Sequence, residues 1–146
     1  MICWTKPPVG WLKVNTDAAF VASSGESGIG YIIRDYMGRL LRAESVKLLA
    51  YASVEEAEAC ACVTGLKAAL TLGNGKIIVE SDCAAVISNI LSRATPLVAW
   101  REHYILTREL LQTRPDIVFR KIGREGNKRA HELAKLSQIS GRGRPL

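Results

Sequence analysis

A change in hydrophobic period near residue 50 constrains this chain of 146 residues more than any other feature. From Leu12 to Phe20 the residues alternate, with Leu12, Val14, Thr16, Ala18 and Phe20 on one face and Lys13, Asn15, Asp17 and Ala19 on the other. Period two marks a strand with two distinct faces. Residues 30–34 and 39–47 read as two more strands, set off by a Ser/Gly turn at 23–28 and by Asp35-Tyr36-Met37-Gly38. Three strands with short connections make an antiparallel meander. Residues 53–72 then repeat with the period of a helix.

The remaining elements follow from local signals. Ser53 is positioned to cap the helix, with Glu55 and Glu56 in the first turn where the helix dipole favours negative charge. Ser53 and Glu56 also have the capping-box spacing. Gly73-Asn74-Gly75 stops the helix. Residues 76–80 form a short β-branched strand, residues 82–93 a helix broken by Pro96, and residues 99–113 another that Pro115 ends. A fifth strand is predicted over 117–122 and a last helix over 127–137. The order is βββαβααβα. A helical crossover reverses direction twice, so the fourth strand must run parallel to a neighbour. The expected fold is α/β: one mixed five-stranded sheet with helices on its faces, spanning residues 11–138. Residues 1–10 form a lead-in, and the basic tail at 139–146 is expected to fray. Ligands of such sheets sit at the carboxyl ends of strands.

Composition narrows the function classes. A hydrophobic fraction of 48% with 23% charged residues is that of a globular chain rather than a disordered one. No run approaches the ~18 apolar residues of a membrane span, and Met1-Ile-Cys-Trp-Thr-Lys-Pro-Pro lacks the apolar core of a signal peptide. The chain therefore reads as intracellular, nuclear or cytoplasmic, and as a monomer or a domain of a longer protein. The net charge is +6, and all of the excess lies in residues 108–146, which hold 10 basic and 4 acidic side chains. That asymmetry points to a polyanion partner such as nucleic acid, or to a merely soluble basic surface. Cys3, Cys60, Cys62 and Cys83 form no metal-binding spacing with His103 and His131, and read as small apolar residues in a reducing compartment. Gly28-Ile-Gly30 lacks the third glycine and the following helix of a dinucleotide fingerprint, and no nucleophile elbow is present.

Three carboxylates stand where apolar or neutral residues belong. On a helical wheel Glu58 falls among Val54, Cys62, Gly65 and Ala69, the face that should pack on the sheet. An unpaired buried charge is costly unless a cation or a proton accompanies it; alternatively, Glu58 reaches solvent near the helix start. Asp17 sits late in a regular strand, where Asp is depleted. Asp82 follows the fourth strand directly, and as an isolated residue would be read as a helix cap. If the fourth strand lies beside the first, Asp17 and Asp82 share one edge of the sheet and Glu58 can point to the same spot. Converging carboxylates repel unless a hard cation such as Mg²⁺ or Mn²⁺ joins them. Two such ions about 4 Å apart can support phosphodiester cleavage.

Asn15-Thr-Asp17-Ala, Ala57-Glu58-Ala-Cys-Ala with Gly65-Leu66, Glu80-Ser-Asp82 and Arg124-Glu-Gly-Asn127-Lys-Arg-Ala-His131-Glu-Leu-Ala together resemble the ribonuclease H type 1 family. The opening Trp4-Thr-Lys-Pro-Pro and the stretch Gly28-Ile-Gly30, Ile33-Arg34-Asp35 and Gly38 resemble the plant ribonuclease H-like domains of non-LTR retrotransposon-derived reverse transcriptases. The resemblance runs from about residue 10 to residue 138. It implies strand order 3-2-1-4-5 and endonucleolytic hydrolysis of the RNA strand of RNA/DNA hybrids with two Mg²⁺ or Mn²⁺ ions. Asp17, Glu58 and Asp82 fall on three of the family's metal-binding carboxylates, and His131 falls on the fourth. Imidazole is a poor ligand for hard Mg²⁺ and a better one for Mn²⁺. The family's mobile catalytic His has no counterpart, because Gly123-Arg124 stands in its region.

Lys121, Arg124, Lys128 and Arg129 are candidate phosphate contacts, and Asn127 a candidate cap for the last helix that would aim its N-terminus at phosphate. Trp100, between the second and third helices, is a core residue or a base-stacking platform. Two function classes follow from these residues: a divalent-metal ribonuclease, or a catalytically silent nucleic-acid-binding module on the same fold. A transposon-derived protein-interaction module is a third.

Overall fold

The computed structural model describes residues 4–21, 24, 26–48, 53–73, 75–92, 101–114, 116–140 and 144–145. Cys3, Trp100, Pro96 and Pro115 lie outside the described residues, as does most of the segment between the second and third helices. The meander is present as β1 (Leu12–Val21), β2 (Glu26–Arg34) and β3 (Leu40–Leu48), antiparallel throughout, with Asp17 opposite Gly30. Helix α1 (Val54–Leu72) crosses over to β4 (Ile77–Ser81), which pairs in parallel with β1 and sets Thr16 beside Ser81. Helices α2 (Ala84–Leu91) and α3 (Arg101–Thr113) lead to β5 (Ile117–Lys121), parallel to β4. A single 3₁₀ turn (Arg124–Asn127) then enters α4 (Lys128–Ser140).

The five expected strands stand in the order β3-β2-β1-β4-β5, and a two-residue β6 (Arg144–Pro145) adds to the outer edge of β3. The described tail therefore departs from the expected fraying at two places: α4 continues to Ser140, and β6 is paired. The edge of β3 offers unpaired backbone groups that such a segment can satisfy.

Local chemistry explains the element ends. Ser53 caps α1 by accepting a hydrogen bond from the Glu56 backbone N–H at 3.2 Å. The cap position of α2 is Cys83 rather than Asp82, which leaves the Asp82 carboxylate free of that role. Two glycines set how closely helices approach the sheet. A Cβ on Gly65 of α1 would stand 2.8 Å from Val14 Cγ1 on β1. A Cβ on Gly30 of β2 would stand 2.5 Å from the Ala130 carbonyl of α4. Backbones can come this near only where no side chain intervenes.

Helix α1 covers the face of Val14, Tyr31, Ile33, Ile77 and Val79, where Ala59, Cys62, Leu66, Val86, Tyr104 and Phe119 complete the main core. Helix α4 covers the opposite face, over β1, β2 and β3. That second face of β1 carries Lys13, Asn15 and Asp17, all three buried. Among the described residues no helix is long and apolar enough to cross a membrane.

Candidate metal centre

Asp17, Glu58 and Asp82 come from β1, α1 and the residue after β4, and the fold brings them together. One carboxylate oxygen of each lies within 4.8 Å of those of the other two. The convergence has a topological cause: parallel pairing of β1 and β4 puts Asp17 and Asp82 just beyond Thr16 and Ser81 at one level of the sheet. Helix α1 starts over that same end, four residues before Glu58.

Glu58 is only 3% exposed, so it does not reach solvent. Its Oε1 accepts from the Ala18 backbone N–H at 2.6 Å, and its Oε2 from the Ser81 hydroxyl at 3.4 Å. Burial, then the neighbouring Asp17, push its carboxyl up to about 10. Asp82 is half-buried and is also raised, first by burial and then by Asp17, with Arg124 pulling the other way. Both shifts favour the neutral acid, because burial and the approach of like charges penalise the ionised form.

His131 projects from α4 with its Nδ1 2.6 Å from Asp17 Oδ2, and its side chain is 50% exposed. The four residues line a cleft of about 220 Å³ together with Arg124, Val54 and Cys83. Cys83 was visible in the sequence only as one more small residue; its place beside the carboxylates comes from the turn between β4 and α2. Burial raises its thiol above the ordinary value. Cys62 lies deeper, fully buried against Thr16, with its thiol pushed up to about 12 by burial.

The basic candidates divide. Arg124 and Lys128 are exposed and line an adjoining hollow with Asp82 and His131. Arg129 and Lys121 are exposed but line neither the cleft nor this hollow. Asn127 is not at the surface. It is 1% exposed, its amide donates to the Thr16 carbonyl at 2.7 Å, and its Oδ1 accepts from Asn15 at 3.2 Å. It ends the 3₁₀ turn and ties α4 to β1 one residue before Asp17. The sequence offered no sign of this, because a buried strut and a helix cap use the same residue types.

Comparison with solved structures places this geometry. RNase H1 from the halophilic archaeon Halobacterium salinarum NRC-1 superimposes with a TM-score of 0.81 at 21% identity, covering 90% of this chain and 99% of that one. The N-terminal RNase H domain of a Mycobacterium tuberculosis protein gives a TM-score of 0.79 at 19% identity, covering 89% of this chain and 94% of that one. LC11-RNase H1 in complex with RNA/DNA hybrid gives a TM-score of 0.78 at 22% identity, covering 89% of this chain and 98% of that one. Likeness at such identities establishes the fold. No curated protein matches the sequence. The family described as reverse transcriptase-like matches residues 15–137, a span that holds Asp17, Glu58, Asp82 and His131 alike. On that match the chain, with its ribonuclease H fold, belongs to the reverse transcriptase-like family.

Proposed function

We propose that this domain hydrolyses the RNA strand of RNA/DNA hybrids with divalent metal ions. The observation that carries the reading is the convergence of three carboxylates in one cleft. The three carboxylates offer oxygen donors, and burial together with their mutual repulsion drives two of them toward the neutral form. A hard divalent ion relieves that repulsion, so the residues present fit Mg²⁺ or Mn²⁺. Bound there, such ions supply Lewis-acid activation of water and charge stabilisation at the leaving oxygen. The two-ion arrangement and the RNA/DNA substrate are those implied by the family resemblance.

Each side chain has a definable part. Asp17, Glu58 and Asp82 hold the ions. The Ala18 N–H and the Ser81 hydroxyl fix the Glu58 carboxylate in place. His131 orients Asp17 through its 2.6 Å contact and, standing where the family resemblance puts a fourth carboxylate, would offer a nitrogen donor in place of oxygen. Arg124, exposed at the cleft, holds a substrate phosphate; a guanidinium cannot shuttle protons near neutral pH. Lys128 continues the phosphate track beside it.

One assay tests the reading. A labelled RNA/DNA hybrid is offered with Mg²⁺ and then Mn²⁺ to the wild type and to Asp17→Asn. Cleavage of the RNA strand by the wild type, stronger with Mn²⁺ and lost in the variant, is the expected result. His131→Asp should raise Mg²⁺-dependent cleavage on the order of tenfold, the scale on which partners of ligating groups act.

The imidazole at position 131 favours a second reading. It removes one negative charge beside Asp17, and a silent nucleic-acid-binding module would tolerate that change. Binding of hybrid without cleavage under both ions would establish that module and overturn the nuclease.

A further inference from the structure

A second candidate site lies on the same face of the sheet, toward the other end of β2. Arg34 ends β2, opposite Lys13, four residues along from Gly30 and Asp17. At about 3.3 Å per residue it stands about 13 Å along the sheet from the carboxylates. Its guanidinium lies 4.7 Å from the centre of the Trp4 ring. Trp4 is itself fixed: its indole N–H donates to Asn15 Oδ1 at 2.7 Å, and Lys13 faces the ring at 5.3 Å. Arg34 is thus held in place by an aromatic platform that the N-terminal lead-in supplies.

The arginine has no anion of its own. Among the described residues no carboxylate pairs with Arg34, although it is half-buried. Its neighbours of like charge are Lys13, opposite it and against the same Trp4 ring, and Arg129 of α4. Burial, then the charge of Arg129, hold the Arg34 guanidinium below its ordinary value. Arg129 in turn meets Glu132 at 3.5 Å, with side chains 71% and 64% exposed. An ion pair so exposed contributes little and yields to a stronger anion. Both arginines wall a groove of about 560 Å³ floored by Ile32, Ala43 and Leu133. Glu132 lines the same groove on the Arg129 side, whereas the Arg34 guanidinium, with no carboxylate partner among the described residues, keeps its donors for a doubly accepting oxyanion.

We propose that Arg34, stacked on Trp4 and sharing its groove with Arg129, binds a backbone phosphate of the nucleic acid whose scissile bond lies at the carboxylate cleft. The inference rests on the proposed function for the identity of the ligand. A separation of about 13 Å corresponds to about four base-pair steps at 3.4 Å each, so the contact falls on the duplex flank rather than at the reacting phosphate. It positions the duplex and reads no sequence.

The test is equilibrium binding of a fluorescent RNA/DNA hybrid in chelator, where cleavage cannot intervene, across 50 to 200 mM salt. Arg34→Gln should lower the slope of log affinity against log salt by about 0.9, so that its deficit relative to wild type shrinks about threefold over that range. Arg129→Gln should behave alike, and Arg34→Lys, which keeps the charge but not the stacked planar fork, should restore the slope in part. Trp4→Leu should weaken binding and leave the slope near that of Arg34→Gln. A wild-type slope in Arg34→Gln overturns the site while leaving the nuclease reading intact. Loss of slope in a protein that cleaves nothing with either ion supports the site and overturns the nuclease.

Discussion

Lys13, Asn15 and Asp17 lie on one face of one strand, all buried under α4, yet their surroundings differ. Around the first two the charges close. Lys13 Nζ meets Glu80 Oε2 at 3.2 Å and donates to the Thr5 carbonyl at 2.5 Å. Asn15 donates to Glu80 Oε1 at 3.0 Å and to Asn127, and accepts from Trp4. Around Asp17 they do not close: two further carboxylates approach, and only a half-exposed imidazole and an exposed guanidinium stand near. A satisfied buried network holds a fold together. An unbalanced one is costly to the fold unless a proton or a ligand offsets the charge. The contrast separates a closed polar cluster from an open one, the candidate metal centre, without reference to either residue type.

Breaking the closed cluster should have the largest effect. Lys13→Met leaves Glu80 buried with too little positive charge and should cost about 3–5 kcal/mol in urea unfolding. Lys13→Met combined with Glu80→Leu should recover most of that loss; if it does not, charge balance is not what the cluster supplies.

The open cluster should respond with the opposite sign. In metal-free protein the native state keeps a proton on Glu58 up to about 10, whereas the unfolded chain releases it near the ordinary carboxyl value of 4.5. Stability must therefore fall as pH rises between those two values, and Asp82 adds in the same direction. Glu58→Gln should stabilise the metal-free protein at neutral pH by about 1–3 kcal/mol and flatten the pH dependence. Thermal melts in chelator from pH 5 to pH 8 check this. Added Mn²⁺ should raise the wild-type melting temperature at pH 8 and raise that of Glu58→Gln much less.

Asn127→Ala removes the strut between the clusters and orphans the Thr16 carbonyl, at a cost of about 1–3 kcal/mol by the same unfolding measurement. The smallest effect is expected at Arg120, whose guanidinium is 3.7 Å from Glu80 but 51% exposed. Arg120→Ala should change stability by less than about 1 kcal/mol, and a larger loss would mean that Glu80 relies on it as much as on Lys13.

Much of the frame is readable in particular residues. The alternation from Leu12 defines β1, Ser53 marks the start of α1, and Gly73 its end. Glu58 is conspicuous because its wheel neighbours Val54, Cys62, Gly65 and Ala69 are apolar or small; the last three are buried in the structure, whereas Val54, at the start of α1, is exposed. Lys13 and Asn15 gave no such signal. As the polar half of an alternating strand they look like a solvent face, and only the return of α4 over β2 makes that face interior. Asn127, read as a candidate cap for the last helix, is buried against β1 because that helix returns over the same face. Arg34 and Trp4, 30 residues apart in sequence, share a family resemblance but show no local signal that they meet.

The order of strands and helices, the capping of α1 and the oddity of a carboxylate on its packed face belong to the sequence, because period and capping depend on neighbours within a few residues. The tertiary structure decided which charges meet. The cost of burying a charge depends on whatever distant segment covers it, and parallel pairing of β1 with β4 under α4 is what left Lys13 neutralised and Asp17 not.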